Sequence, residues 1–262
     1  MSQDKPLRGR TAVVLMVVVV LAVFWGFKRL SPHVQSVVGS EALDATPVVE
    51  ATNLSCPEKL GSVKKVGIQV GHLEIDQVPD ELSNLRWDFG ASSNGVNEVD
   101  VNNDVAKKTV ALLKAKGIQA EILTATVPED YCASAFVAIH ADGNDDSTTD
   151  GYKVAPSSWD TDGKAETLSD DIQEDYGAVT GMDLNGGISD NMTQYYAFNY
   201  QRFRHSIDAH TPGVLIEVGF VTNSSDRAMF TRHTDLLAQG LAKGIEDYLN
   251  GVVLTTPSPA EY

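Results

Sequence analysis

Short apolar runs alternate with segments of helical periodicity between residues 63 and 250. Apolar runs rich in β-branched side chains are typical of strands in a covered sheet. Such runs occupy residues 66–70, 118–123, 135–140, 152–155 and 214–218. Helical spacing of apolar side chains predicts helices at 98–116, 164–178, 188–203 and 226–249. Residues 71–97 have no periodicity and predict a long loop, a feature that is usually functional in a compact domain.

This alternation predicts an α/β fold. We expect a single domain at residues 63–250, with a mostly parallel twisted sheet and helices on both faces. Residues 28–62 are polar, patternless and interrupted by proline, so we interpret them as a spacer. Residues 251–262 have little structure-forming content and are expected to be a disordered tail.

Residues 11–27 carry no charge and consist mostly of valine, leucine and alanine. As a helix, this stretch would be roughly 25 Å long. That is short of a hydrocarbon core of ~30 Å, but Lys28 and Arg29 can reach the interface. We therefore predict a transmembrane anchor at 11–27, with a cytoplasmic stub at 1–10 and the rest of the chain extracytoplasmic. The alternative is a signal peptide cleaved near residues 38–42, which would give a secreted protein.

The chain is acidic, with a net charge of −16. Five of its 20 basic side chains lie in the first 29 residues, so the remainder is more acidic still. Nucleic acid is excluded as a class of partner because a phosphate-neutralising surface is missing. Docking of a polybasic patch to anionic lipid is excluded for the same reason. The sequence leaves the oligomeric state open.

The chain has two cysteines, Cys56 and Cys132. In an extracytoplasmic domain they can form a disulfide, which would attach the start of the domain to the segment before a core strand. The alternative is a pair of buried free thiols.

One carboxylate, Glu217, interrupts the apolar run at 214–218. A buried carboxylate is costly unless it meets a cation, a metal or a proton. Either another part of the chain supplies that partner, or Glu217 turns into solvent at the end of the strand.

Three more side chains are predicted at the same edge of the sheet as Glu217. His72 follows the first strand, His140 closes the third strand, and Glu98 opens the first helix. Taken singly, each has an ordinary interpretation as a loop or first-turn residue, but sites in such sheets collect at the carboxyl ends of strands. Two histidines and a glutamate are a common zinc set with one position open for water. A further carboxylate that does not bind the metal could then transfer protons.

Five short motifs follow one another along residues 63–249. They are Gly71-His72, Gly95-Val96-Asn97-Glu98, Ala138-Ile139-His140-Ala141-Asp142, Gly151-Tyr152 and Ile216-Glu217-Val218-Gly219-Phe220-Val221-Thr222-Asn223. In this order they resemble the zinc-dependent N-acetylmuramoyl-L-alanine amidases of the third amidase class, which are bacterial cell-wall hydrolases. The ordered set is specific, whereas each motif alone is weak.

The resemblance implies a role for each of four residues. His72, Glu98 and His140 would bind zinc, and Glu217 would be the catalytic acid and base. The implied reaction is cleavage of the amide between the lactyl group of N-acetylmuramic acid and the L-alanine of the stem peptide. Peptidoglycan is therefore the expected partner, while the substrate-binding residues remain unassigned.

The sequence departs from the family pattern at three positions near these motifs. Gln69 and Leu73 stand where the family usually has aspartate and glycine, and Asp142 stands where it usually has asparagine. None is a proposed ligand, so they bear on substrate preference more than on metal binding. Two other functions stay open: a zinc amide hydrolase or peptidase acting on a non-wall substrate, and a non-catalytic, membrane-tethered wall-binding protein. The second would have lost a ligand or Glu217, and none is lost.

Overall fold

A computed structural model describes residues 55–251, with seven strands and six α-helices in that range. The strands are β1 (Lys65–Val70), β2 (Ser92–Ser93), β3 (Val96–Asn97), β4 (Gln119–Leu123), β5 (Ala135–Asp142), β6 (Lys153–Pro156) and β7 (Gly213–Phe220). The helices are α1 (Cys56–Leu60), α2 (Glu98–Ala115), α3 (Lys164–Thr180), α4 (Asp190–Thr193), α5 (Ser224–Arg232) and α6 (Thr234–Gly251).

The predicted stub, the predicted anchor and the predicted tail beyond residue 251 lie outside the described residues. Between residues 55 and 251, none of the helices is both long enough and apolar enough to cross a membrane.

The main sheet has five strands in the order β4-β1-β5-β7-β6. β4, β1, β5 and β7 are parallel, and β6 runs antiparallel to β7 at one edge. The prediction of one α/β domain around a mostly parallel sheet is therefore confirmed. The predicted loop at 71–97 is more ordered than expected, because it contains the β2–β3 hairpin and 3-10 helices at Ile75–Gln77 and Asp80–Leu85.

The two faces of the sheet are covered differently. Helices α2, α3, α5 and α6 contribute buried side chains to the core on one face. The other face is covered by irregular chain and short helical turns around Met192, Phe198 and Ile207. Helices on both faces were expected, but all the long helices lie on one face.

The prediction of a long helix at 188–203 is wrong. The chain forms only the four-residue α4 and a 3-10 helix at Tyr196–Phe198. Ala197 and Phe198 are fully buried, and Tyr195 and Tyr196 also pack inward against the second core. Four consecutive inward-facing side chains cannot share one face of an α-helix, because successive positions on an α-helix point in different directions.

The helix predicted at 226–249 is divided in two. His233 has φ −134° and separates α5 from α6. Its backbone N–H still donates to the Met229 carbonyl, so α5 closes normally before α6 begins at Thr234.

The folded part of the chain begins earlier than predicted. Residues 28–62 were interpreted as a spacer, but α1 starts at Cys56, which is buried. Ser55 and Glu58 form a capping box at its first turn. A disulfide joins Cys56 to Cys132, directly before β5, and so attaches α1 to the sheet.

Candidate metal centre

The structure brings His72, Glu98 and His140 together. One potential ligand atom from each lies within 4.8 Å of the others. Oε1 of Glu98 is 3.1 Å from Nε2 of His72 and 2.9 Å from Nδ1 of His140. Two imidazole nitrogens and one carboxylate oxygen are donors that a divalent metal accepts, so this buried group could bind a metal ion.

Glu98 is held firmly at the first position of α2. It is 5% exposed, and its Oε2 accepts a hydrogen bond of 2.8 Å from the backbone N–H of Ala91. Burial raises the pKa of Glu98, but hydrogen bonds from His140 and His72 outweigh it and hold the pKa well below the usual range. The side chain is therefore a carboxylate, as a metal ligand must be.

His72 is oriented by the loop that follows it. Its backbone has φ +65°, in the left-handed region. Its Nδ1 donates to the backbone carbonyl of Asp88 at 2.6 Å. That bond leaves Nε2, which faces Glu98, as the ligand atom. Sequence reasoning missed this partner because a backbone carbonyl has no residue signature.

His140 is fixed from its other side by a tyrosine. Nδ1 of His140 faces Glu98, and Nε2 lies 3.2 Å from the hydroxyl of Tyr195. The Tyr195 ring packs edge-on against the imidazole, with centroids 5.3 Å apart. Tyr195 was missed because it was placed in a helix that does not form.

Glu217 lies beside His140 in the sheet. His140 on β5, Glu217 on β7 and Lys153 on β6 are register partners and form one row across three strands. Oε2 of Glu217 is buried and has no hydrogen-bond partner among the described residues. Burial, followed by the charges of Glu98 and Asp142, raises the pKa of Glu217 well above its usual value, and Lys153 opposes this. Glu217 is the one half-buried side chain of β7, but its Oε2 is buried, so the alternative that it turns fully into solvent does not fit this position.

Lys153 and Asp142 form an ion pair next to Glu217. Lys153 is 7% exposed, and its ammonium also lies 4.9 Å from the centroid of the Phe220 ring. The pairing of β5 with β7 shifts register between His140 and Asp142, and this irregularity places Asp142 near Lys153. Lys153 is a charged residue inside the apolar run at 152–155, as Glu217 is inside the run at 214–218. The same sequence signal could therefore have identified Lys153.

The other departures from the family pattern are part of the packing. Gln69 is fully buried, and its amide donates to the hydroxyl of Tyr196 at 2.6 Å. Leu73 packs against the main core. Two further histidines have carboxylate partners outside the candidate metal centre. Nδ1 of His205 contacts Glu81, and Nδ1 of His210 contacts Asp208.

An open cleft of about 790 Å³ leads to these residues. His72, Glu98, His140 and Glu217 all line it. Its outer walls come from the loop before β2 and from the irregular segment that includes Tyr195. The cleft is large enough for a substrate of several sugar or amino-acid units.

A sequence profile of N-acetylmuramoyl-L-alanine amidases matches residues 66–247, most of the chain. The chain belongs to this amidase family. LytC, an N-acetylmuramoyl-L-alanine amidase of Bacillus subtilis (strain 168), is 27% identical over 177 residues, which are 62% of this chain and 33% of the relative. The chain thus matches about a third of the length of that relative.

Solved structures of amidases share the fold. The N-acetylmuramoyl-L-alanine amidase of Clostridium difficile 630 superposes with a TM-score of 0.52 at 20% identity, over 72% of this chain and 98% of the other. Ami1 of Mycobacterium smegmatis gives a TM-score of 0.52 at 20% identity, over 71% of this chain and 96% of the other. The amidase fold accounts for the region from β1 to α6.

Proposed function

We propose that this chain is a zinc-dependent hydrolase that cleaves the amide between N-acetylmuramic acid and L-alanine in peptidoglycan. The observation that carries the proposal is the placement of Glu217 next to a His-Glu-His group at the floor of an open cleft. Membership of the amidase family supports the choice of substrate.

His72, Glu98 and His140 are the proposed zinc ligands. Bonds of about 2.0–2.1 Å place the ligand atoms of a tetrahedral zinc roughly 3.3 Å apart. The separations from Glu98 to the two histidines, 3.1 and 2.9 Å, are close to that requirement. Bound zinc would polarise the scissile carbonyl and lower the pKa of a water molecule.

Glu217 is the proposed acid and base. Burial raises the pKa of Glu217 well above its usual value, which suits a group that takes up a proton and returns it. It would take the proton of the attacking water and deliver it to the leaving nitrogen of L-alanine. The unpartnered Oε2 leaves the carboxylate free for this transfer. Lys153 and Asp142 set the charge around Glu217 and are positioning residues in this scheme.

Digestion of purified peptidoglycan, with mass analysis of the soluble products, tests this function. We expect stem peptides with a free L-alanine amino terminus, and no release after treatment with a chelator. Glu217→Gln keeps the shape of the side chain, so it should retain bound zinc but lose turnover by about 10²–10⁴-fold.

Other outcomes would identify the alternative functions. Fragments cleaved within the stem peptide would indicate a peptidase. Binding to the wall without any chelator-sensitive release would indicate a wall-binding protein. Near-normal release by Glu217→Gln would remove Glu217 from the mechanism.

We also propose the arrangement of the rest of the chain. The stub at 1–10 would be cytoplasmic, 11–27 would anchor the chain in the membrane, and the domain at 63–250, extended back to α1, would act outside the cytoplasm. The disulfide supports an oxidising compartment. Membrane fractionation tests the anchor, and recovery of the mature protein in the medium, starting near residues 38–42, would favour secretion instead.

A further inference from the structure

Two large aromatic side chains are exposed on either side of Asp88, a residue that lines the cleft. Trp87 is 76% exposed and Phe89 is 58% exposed. Their ring centroids are 6.4 Å apart, and the rings pack edge to face. They are the most exposed large hydrophobic side chains in the described range, residues 55–251. A single exposed apolar residue is ordinary, but a pair of exposed aromatic rings next to cleft-lining residues in the chain indicates a binding surface.

The aromatic pair flanks the residue that orients His72. Asp88, between the two rings in the chain, accepts the hydrogen bond from His72 through its backbone carbonyl. Its carboxylate accepts from the backbone N–H of Gly90 at 3.3 Å. Asp88 and Gly90 both line the cleft, so each aromatic residue is the chain neighbour of a lining residue.

The segment that carries the rings is ordered by its own contacts. The backbone N–H of Asp88 donates to the Leu85 carbonyl at 2.9 Å, at the end of the 3-10 helix Asp80–Leu85. On the other side, the backbone N–H of Ala91 donates a hydrogen bond to Oε2 of Glu98. Because the backbone is held on both sides of the rings, ligand binding would cost less conformational entropy here than on a mobile loop.

We propose that Trp87 and Phe89 form a stacking platform for the pyranose rings of the glycan strand. This inference rests on the proposed function, because the scissile carbonyl belongs to a lactyl group attached to a sugar ring. A substrate that places this carbonyl at His72 and Glu98 must hold that sugar only a few bonds away. The C–H face of a pyranose is apolar and uncharged, and it packs well on an aromatic ring.

The charge of the chain favours a neutral ligand at this platform. The net charge of −16 opposes the approach of an anionic membrane surface. The nearest basic side chain in sequence, Arg86, is occupied by the carbonyl of Val78 and by Asp80. A lipid surface is therefore an outcome of the test and not the occupant proposed.

Binding of glycan strands stripped of their stem peptides tests the platform without hydrolysis. The probe would be purified strands of this kind, which lack the scissile amide, titrated into the intact protein and followed by calorimetry. We expect Trp87→Ala and Phe89→Ala each to weaken binding about tenfold, a loss of about 1.4 kcal/mol. Trp87→Phe should retain most of the affinity because an aromatic face remains. Leu112→Ala, which removes a partly exposed apolar side chain from α2, is the matched control and should bind as wild type.

Three results would overturn the platform. The first is equal glycan binding by wild type and Trp87→Ala, with thermal unfolding unchanged in both. The second is wild-type protein that binds no stripped glycan. The third is binding to lipid vesicles that depends on Trp87 while glycan binding does not. The peptidoglycan digestion is scored separately: glycan binding that depends on Trp87 without release of L-alanine peptides contradicts the proposed function and leaves the platform standing.

Discussion

Gly90 lies against two of the proposed ligands. It has φ +78°, and a Cβ at this position would lie 2.6 Å from Oε2 of Glu98 and 2.8 Å from Cδ2 of His72. Gly90→Ala should therefore displace both side chains. We expect the affinity for zinc to fall by about tenfold or more, as for other changes that disturb ligand orientation. Metal titration of chelator-stripped protein measures this.

Gly95 provides the matched control for Gly90. It has nearly the same backbone conformation, φ +77°, but a Cβ at this position would have no neighbouring atom within 4 Å. Gly95→Ala should carry a similar backbone strain and leave metal affinity unchanged. Equal losses in the two variants would show that strain, and not crowding of Glu98, is responsible.

The charge of Lys153 should set the pH range of activity. Burial and the charges of Glu98 and Asp142 raise the pKa of Glu217, while Lys153 lowers it. Lys153→Met removes the lowering contribution, so the pKa of Glu217 rises and less carboxylate is present at a given pH. The acid limb of the kcat/KM profile should move to higher pH. Lys153→Arg keeps the charge and should leave the limb in place; a limb that moved to lower pH in Lys153→Met would contradict this assignment.

The sequence was sufficient to predict that His72, Glu98 and His140 lie together, but not which groups orient them. His72 follows an apolar run, His140 ends one and Glu217 interrupts one, whereas Glu98 opens the first helix. Because strand ends meet at one edge of a parallel sheet, these positions could be expected to lie together. The orienting groups depend on loop conformation. The Asp88 carbonyl reaches His72 only through the ordered turn before β2, which no local pattern specifies.

At the scale of elements, Asn223 holds the start of α5. Its Oδ1 accepts hydrogen bonds from the backbone N–H groups of Ser225 and Asp226, and its amide donates to the Ser147 carbonyl. Asn223→Ala should lower the free energy of unfolding by about 1–2 kcal/mol through loss of this cap. Asn223→Asp keeps the acceptor and should lose less. Denaturant unfolding of both variants decides the matter, and equal losses would assign the effect to the Ser147 contact.

Strands and amphipathic helices were predictable because burial repeats with a fixed period. In α2, Val101, Val105, Thr109 and Leu113 recur at spacings of four and are buried, whereas Leu112 is 37% exposed. The segment at 188–203 was not predictable in this way. Its burial depends on the second face of the sheet, a tertiary partner that leaves no period in the local sequence.

At the scale of the whole molecule, the disulfide connects the beginning of the folded region to the sheet. It closes a loop between positions 76 residues apart. Closing a loop of this length restricts the unfolded chain, and native disulfides typically contribute about 2–4 kcal/mol. We expect a reductant to lower the midpoint of thermal unfolding. The double variant Cys56→Ser with Cys132→Ser should already unfold at the lower temperature and should not respond to reductant. An unchanged midpoint on reduction of the wild type would contradict this role.

The strand order also determines when the cleft can exist during synthesis. Among residues 55–251, β7 is the last strand to be made, yet it lies between β5 and β6, and β6 has no other partner in the five-stranded sheet. A nascent chain that ends before residue 213 therefore has an unpaired β6, and His140 has no Glu217 beside it. Pairing between strands so distant in sequence is slow to form. The proposed hydrolytic activity should therefore appear only after β7 has inserted, late in translation or after its completion.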